Sequence, residues 1–393
     1  MAATVPPVSP ISSVSAISSH SAVPADSSAS AASSAQPAHP TAHAAAEHAD
    51  RLPAYVYDLR ELAAHAAEVR AALRDVEVYY AVKANPDPEF LRVLAPHVDG
   101  FEAASAGEAA HVRALLPEAR ITLAGPGKTV ELAADVHRLH LESTGELRRL
   151  LAAGREADVL LRLNLDLDIP GVAPNMCGSA VPFGMAPDDA RECVDLLAAQ
   201  DRVRFRGVHA HLASGLDAPA MLEVAAAVLD HARALGAEEV NLGGGMGVSY
   251  AEPDRRFDWH AYGAGLARLR RPGEVLRIEP GRSLAAYCGY YVTTVVDVKR
   301  VHGELYAVVA GGTHHMRTPA ARGHDQPLVM GEPGEPITVV GQLCLPYDVL
   351  ARRVPMRVEV GDTLTFRLVG AYAWNISYHD FLMHPRPAFH YLR

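Results

Sequence analysis

Eight short apolar segments, separated by amphipathic stretches, constrain what this chain can fold into more than any other feature. They are Val76–Val82, Gly100–Ala104, Arg120–Ala124, Leu139–Ser143, Val159–Leu165, Arg206–His211, Glu239–Leu242 and Val275–Glu279. Their β-favouring residues and bounding breaks mark them as strands. Ala- and Leu-rich stretches between them, such as Ala106–Leu116, Thr129–Asp135, Thr144–Ala153 and Pro219–Leu235, read as helices. Strands alternating with helices build buried parallel sheets, and eight such units close a ring. The pattern therefore predicts an α/β fold, a (β/α)8 TIM barrel, over a doubly wound sheet.

After about Leu284 only strands are expected: Tyr290–Val301, Leu305–Ala310, Ile337–Val340, Met356–Val360 and Thr363–Val369. This texture predicts a C-terminal β-domain, a sandwich or small barrel. The expected organisation is a tail over 1–50, a strand and helix over 51–75, the barrel over 76–283 and the β-domain over 284–393. The Ala/Ser/Pro-rich tail has almost no large apolar residue to offset the entropy of ordering, and it lacks the features of a secretory signal. It reads as a disordered tail or an over-early start.

At 393 residues and 49% hydrophobic, the chain can bury one large core and a smaller one. A net charge of −10 argues against a nucleic-acid surface, and no apolar run reaches the length of a membrane span. Cys177, Cys193, Cys288 and Cys344 form no paired spacing, so neither zinc nor a disulfide framework is indicated and a cytoplasmic home is expected.

Polar residues and glycines gather just after the strands: Lys83, Glu102, Arg162, His211, Gly243 to Gly245 and Glu279. In a (β/α)8 barrel these strand ends carry the active site. Lys83 closes the run Val78-Tyr79-Tyr80-Ala81-Val82 before Asn85-Pro86 breaks it. A lysine there either snorkels into water or is used covalently by an aldehyde cofactor, which removes the cost of burying its charge. The glycines 243–245 leave backbone N–H groups open to a phosphate. Glu279, in Glu279-Pro280-Gly281-Arg282, can pair with a pyridine nitrogen, and the Arg282 fork suits phosphate or carboxylate. His209 and His211 share one face of their strand; with no third ligand evident, they are not read as a metal site.

These segments together resemble the fold-type III pyridoxal-phosphate (PLP) decarboxylases, the diaminopimelate and ornithine decarboxylase family with its alanine racemase-like fold. The resemblance runs from about Tyr55 to the C-terminus and rests first on Tyr80-Ala81-Val82-Lys83-Ala84-Asn85. It implies that Lys83 carries the cofactor and that His211 stacks on its ring. It assigns Ser214, Gly243, Gly244, Gly245 and Gly281 to the phosphate and Tyr372 to cofactor and substrate, with Glu279 at the ring nitrogen and Arg282 left to phosphate or a substrate carboxylate. Ala54–Tyr57 is expected to add a strand to the β-domain.

Gly341-Gln342-Leu343-Cys344-Leu345 resembles the segment whose cysteine donates a proton across a homodimer interface, so the resemblance implies Cys344 as a catalytic residue in a shared site. Leu345 replaces the acidic residue that recognises a distal amine, and Arg317 matches an arginine that binds a substrate carboxylate. His314, His315 and Arg322 add donors nearby. The ending Asn375–Pro385 resembles the siderophore-pathway branch of the staphyloferrin B type, which implies a citryl-diaminopropionate-like substrate. The rivals are a diaminopimelate or ornithine decarboxylase of primary metabolism, a racemase, and a PLP-binding regulator without turnover.

Overall fold

The structure is a computed structural model that describes residues 51–129, 136–167 and 181–393, with isolated positions 45, 47 and 49 before them. These belong to one unit, Pro37–Arg393. The expected tail, most of the Thr129–Asp135 helix, Cys177 and the side chain of Arg322 lie outside the described residues.

All eight expected strands form a closed parallel barrel: β2 (Val76–Ala81), β3 (Gly100–Ala103), β4 (Ile121–Leu123), β5 (Arg138–Leu141), β6 (Ala157–Arg162), β7 (Val203–His209), β8 (Glu239–Asn241) and β9 (Val275–Ile278). Local chemistry sets where the helices start. Ser105 caps Ala106–Leu115 by accepting from the Glu108 N–H, and Ser143 caps Thr144–Ala152 by accepting from the Glu146 N–H. In return the carboxylates of Glu108 and Glu146 accept from the N–H groups of Ala104 and Glu142, one residue ahead of each cap, a variant of the reciprocal capping pair.

Strand periodicity explains the barrel's two ends. Side chains two residues apart share a face, so Glu77, Tyr79 and Ala81 point the same way along β2, and Arg277 on β9 shares its face with Glu279 just past the strand's end. At the N-terminal end the inward residues are charged and mutually paired. Arg277, only 1% exposed, donates to Glu77 and Glu239, while Arg138 donates to Glu239 and Asp158. The Arg277 guanidinium also lies 4.8 Å from the Tyr79 ring centroid. This network closes the bottom of the barrel and leaves the opposite end as the open one.

The expected β-domain is a mostly antiparallel seven-stranded sheet. Its long strand β10 (Gly289–Val301) pairs with β1 (Ala54–Asp58) and β14 (Thr363–Phe366) along its first half and with β11 (Glu304–Val309) along its second. The early segment thus joins the β-domain as expected. Two details differ from the sequence reading. Met356–Val360 is not a strand: β13 is Val349–Met356, antiparallel to β12 (Pro333–Val340), because that register buries Leu350 and Ala351. The C-terminal strand β15 (Ala388–Leu392) was not expected, and it lies parallel to β1, where Phe389 stacks on Tyr55.

Candidate active site

A cavity of about 560 Å³ opens at the C-terminal ends of the barrel strands. Lys83, in a 3-10 turn just past β2, faces it and forms an ion pair with Glu102 at the end of β3. Burial disfavours the lysine's charge, but Glu102, Tyr372 and Glu279 more than offset this and hold its pKa above the ordinary value. Glu102 is 1% exposed, and burial, partly countered by Lys83, pushes its carboxyl up to about 7. Beside it Arg162 pairs with Glu142 at 2.6 Å, its guanidinium 5.1 Å from the Phe183 ring centroid.

His211 also borders the cavity. Its ring is open to the cavity, and the enclosing protein with nearby Lys83 holds it below the ordinary histidine value. Its Nδ1 accepts from the Gly244 N–H at 3.1 Å, which places its proton on Nε2. Across the floor Glu279 accepts from Asn241 Nδ2 at 2.7 Å and contacts His209 Nε2 at 3.2 Å. Burial would raise the Glu279 carboxyl, but His209, His140 and Lys83 hold it well below the usual carboxylate range. Arg282 donates to the Tyr250 hydroxyl at 2.6 Å and lies 4.6 Å from the centroid of the Tyr372 ring.

The structure brings Lys83, His211, Ser214, Gly244, Gly245, Glu279, Gly281, Arg282 and Tyr372 to this one cavity. Gly243 is different. It does not line the cavity, because its N–H donates to Asn241 Oδ1 and its carbonyl accepts from Glu279. Arg317, Cys344 and Leu345 do not line the cavity of their own chain either; they sit in the β-domain, with Arg317 and Cys344 exposed. The sequence reading passed over Asn241 and His140, although His140 alternates with Arg138 on β5 and with Glu142 just past it. It also missed Asn375, whose Nδ2 donates to the Lys83 carbonyl at 2.7 Å.

The glycines suit a bound phosphate or ring. A Cβ on Gly245, at φ +117°, would fall within 2.3 Å of the Ala213 carbonyl oxygen, and one on Gly281 within 2.9 Å of the Ala84 Cβ. The backbone at both positions therefore stays bare and close to the cavity. A reactive amine, a facing carboxylate, a neutral imidazole and an arginine fit pyridoxal phosphate in chemistry.

Residues 59–286 match the family model for the pyridoxal binding domain of pyridoxal-dependent decarboxylases. The chain belongs to that family. Among its relatives is the 2-[(L-alanin-3-ylcarbamoyl)methyl]-2-hydroxybutanedioate decarboxylase of Staphylococcus aureus, 35% identical over 86% of this chain and 93% of that protein. The diaminopimelate decarboxylase of Bacteroides thetaiotaomicron is 31% identical over 81% and 90%. The crystal structure of Helicobacter pylori diaminopimelate decarboxylase with L-lysine matches with a TM-score of 0.79 at 25% identity, covering 87% of this chain and 92% of that one. This enzyme is accordingly a PLP-dependent amino-acid decarboxylase, and PLP is its cofactor.

Proposed function

We propose that the substrate is an α-amino acid joined to a polycarboxylate, of the citryl-diaminopropionate type. The observation that carries this reading is the similarity, over nearly the whole length of both proteins, to a decarboxylase named for an alanine unit amide-linked to a hydroxybutanedioate. Leu345 agrees with it: a leucine there offers no carboxylate to a distal ammonium and leaves such a charge uncompensated. Arg317 is exposed and able to meet a carboxylate.

When bound, PLP supplies an electron sink for the charge left on Cα as CO2 departs. Lys83 holds the cofactor, and Glu102 steadies the lysine on the cavity side. Glu279 sets the charge at the ring nitrogen, His211 presents an uncharged ring face, and Ser214, Gly244, Gly245, Gly281 and Arg282 receive the phosphate. Cys344 returns a proton to Cα. By the family resemblance Cys344 serves the site of a second copy and the enzyme works as a homodimer; its exposure, apart from the cavity of its own chain, agrees with that reading.

A diaminopimelate decarboxylase is the second reading, favoured by the relatives of that name. The test is kcat/KM for the citryl-diaminopropionate conjugate beside diaminopimelate, ornithine and lysine, scored by CO2 release. Preference for the conjugate is expected. Efficient turnover of a free diamino acid, with none of the conjugate, overturns the substrate assignment.

A further inference from the structure

Among the described residues, the inward carboxylates of the barrel have cationic partners, with one exception. Glu102 pairs with Lys83, Glu142 with Arg162, Glu146 with Lys128, and Glu77 and Glu239 with Arg277. Glu279 is bonded instead by an amide and an imidazole, Asn241 and His209. Since a carboxylate only accepts, His209 carries its proton on Nε2. His140 stacks on His209 with centroids 4.3 Å apart and planes at 22°, and its Nδ1 lies 4.0 Å from Glu279. His209 Nδ1 and both His140 nitrogens are buried with no hydrogen-bond partner.

Ligand atoms of His140, His209 and Glu279 lie within 4.8 Å of one another, as a metal site would require. The stacking argues otherwise. An imidazole binds a metal in its own plane, and two nearly parallel rings cannot both hold one ion that way. The pair serves the carboxylate instead.

We propose that His209, backed by the stacked ring of His140, is a positioning residue that keeps Glu279 ionised and aimed at the cofactor's ring nitrogen, so that this nitrogen stays protonated across the working pH range. A neutral donor does this better than a lysine or arginine. It satisfies an oxygen without cancelling the charge, which remains available to a cationic N–H arriving from the cavity. The surrounding charges do not compete for that role. Lys83 with Glu102, Arg162 with Glu142, and Lys128 with Glu146 are each internally compensated, and Arg277 is held at the far end of the barrel. Burial keeps both histidines neutral, pushing His140 and His209 below the ordinary histidine value.

The inference rests on the cofactor and not on the proposed substrate, and its test uses none. The absorbance of the bound PLP is titrated against pH in the holoenzyme, together with the Kd for PLP. H209F should weaken PLP binding on the order of tenfold and bring a ring-nitrogen deprotonation into the accessible pH range. H209Q, whose amide can reach Glu279, should restore the parental titration, whereas the shorter H209N should not. H140F should titrate as the parent and H140A should move toward H209F. A folded H209F with the parental titration overturns the proposal. If H209F does not fold, H209N and H209Q titrating alike does the same.

Discussion

Replacing Asn375 by alanine isolates how the β-domain holds the reactive lysine. Three hydrogen bonds tie the turn Val82–Ala84 and its neighbour Asn85 to residues 370–375. Asn375 Nδ2 donates to the Lys83 carbonyl at 2.7 Å, the Tyr372 N–H to the Ala84 carbonyl at 2.8 Å, and Asn85 Nδ2 to the Gly370 carbonyl at 3.0 Å. N375A removes the one bond that acts on the lysine's own peptide group. An unsatisfied buried carbonyl costs about 1–3 kcal/mol, and because Asn375 is only half-buried, water should recover part of that, leaving about 1–2 kcal/mol. At 1.4 kcal/mol per factor of ten, PLP affinity and kcat/KM should fall roughly 5- to 30-fold. The other two bonds remain, so Tm should drop by only about 2–6 °C. Equilibrium titration of PLP by absorbance, steady-state CO2 release and thermal unfolding measure the three quantities. N375D is the control: its carboxylate faces the same carbonyl as an acceptor and should be worse than alanine. Parental affinity and turnover in both variants would refute the clamp.

The remaining predictions concern the site, the dimer and stability. K83A should lose the PLP adduct that borohydride fixes onto the protein, and mixing inactive K83A with inactive C344A should recover partial activity, because a mixed dimer keeps one intact site; no recovery after proven subunit exchange counts against the shared site. L345E should shift kcat/KM toward substrates with a distal amine and away from polycarboxylate conjugates, read from the same CO2 panel. G245A should abolish PLP binding, since its Cβ would collide with the Ala213 carbonyl at a left-handed φ. Burial pushes His137, His314 and His315 down to about 4. The unfolded chain titrates these groups near their ordinary value of about 6.5, so between the two it binds more protons than the folded one, and stability falls as pH drops through that window. Thermal unfolding against pH should show this loss, and H314F should reduce it; an unchanged pH profile in H314F removes His314 from the account.

The barrel was legible because its information is local. Strand and helix signals lie within ten or so residues, and capping pairs such as Ser105–Glu108 and Ser143–Glu146 mark helix starts without any tertiary contact. Lys83, His211, Glu279 and the glycines could be named for the same reason, since each follows a strand that ends at the functional face of such a fold. The β-domain was read less well. Its strand pairing is non-local: β15 finds β1 across more than three hundred residues, and the boundaries of β13 depend on a partner strand and on which side chains the register buries. Alternation alone could not tell that Gly243 turns its N–H to Asn241 while Gly244 and Gly245 border the cavity. Nor could it show His140, His209 and Asn241 converging on Glu279 from three further strands. Those contacts exist only once the ring closes, because closure is what brings the inward ends of separate strands within hydrogen-bonding distance.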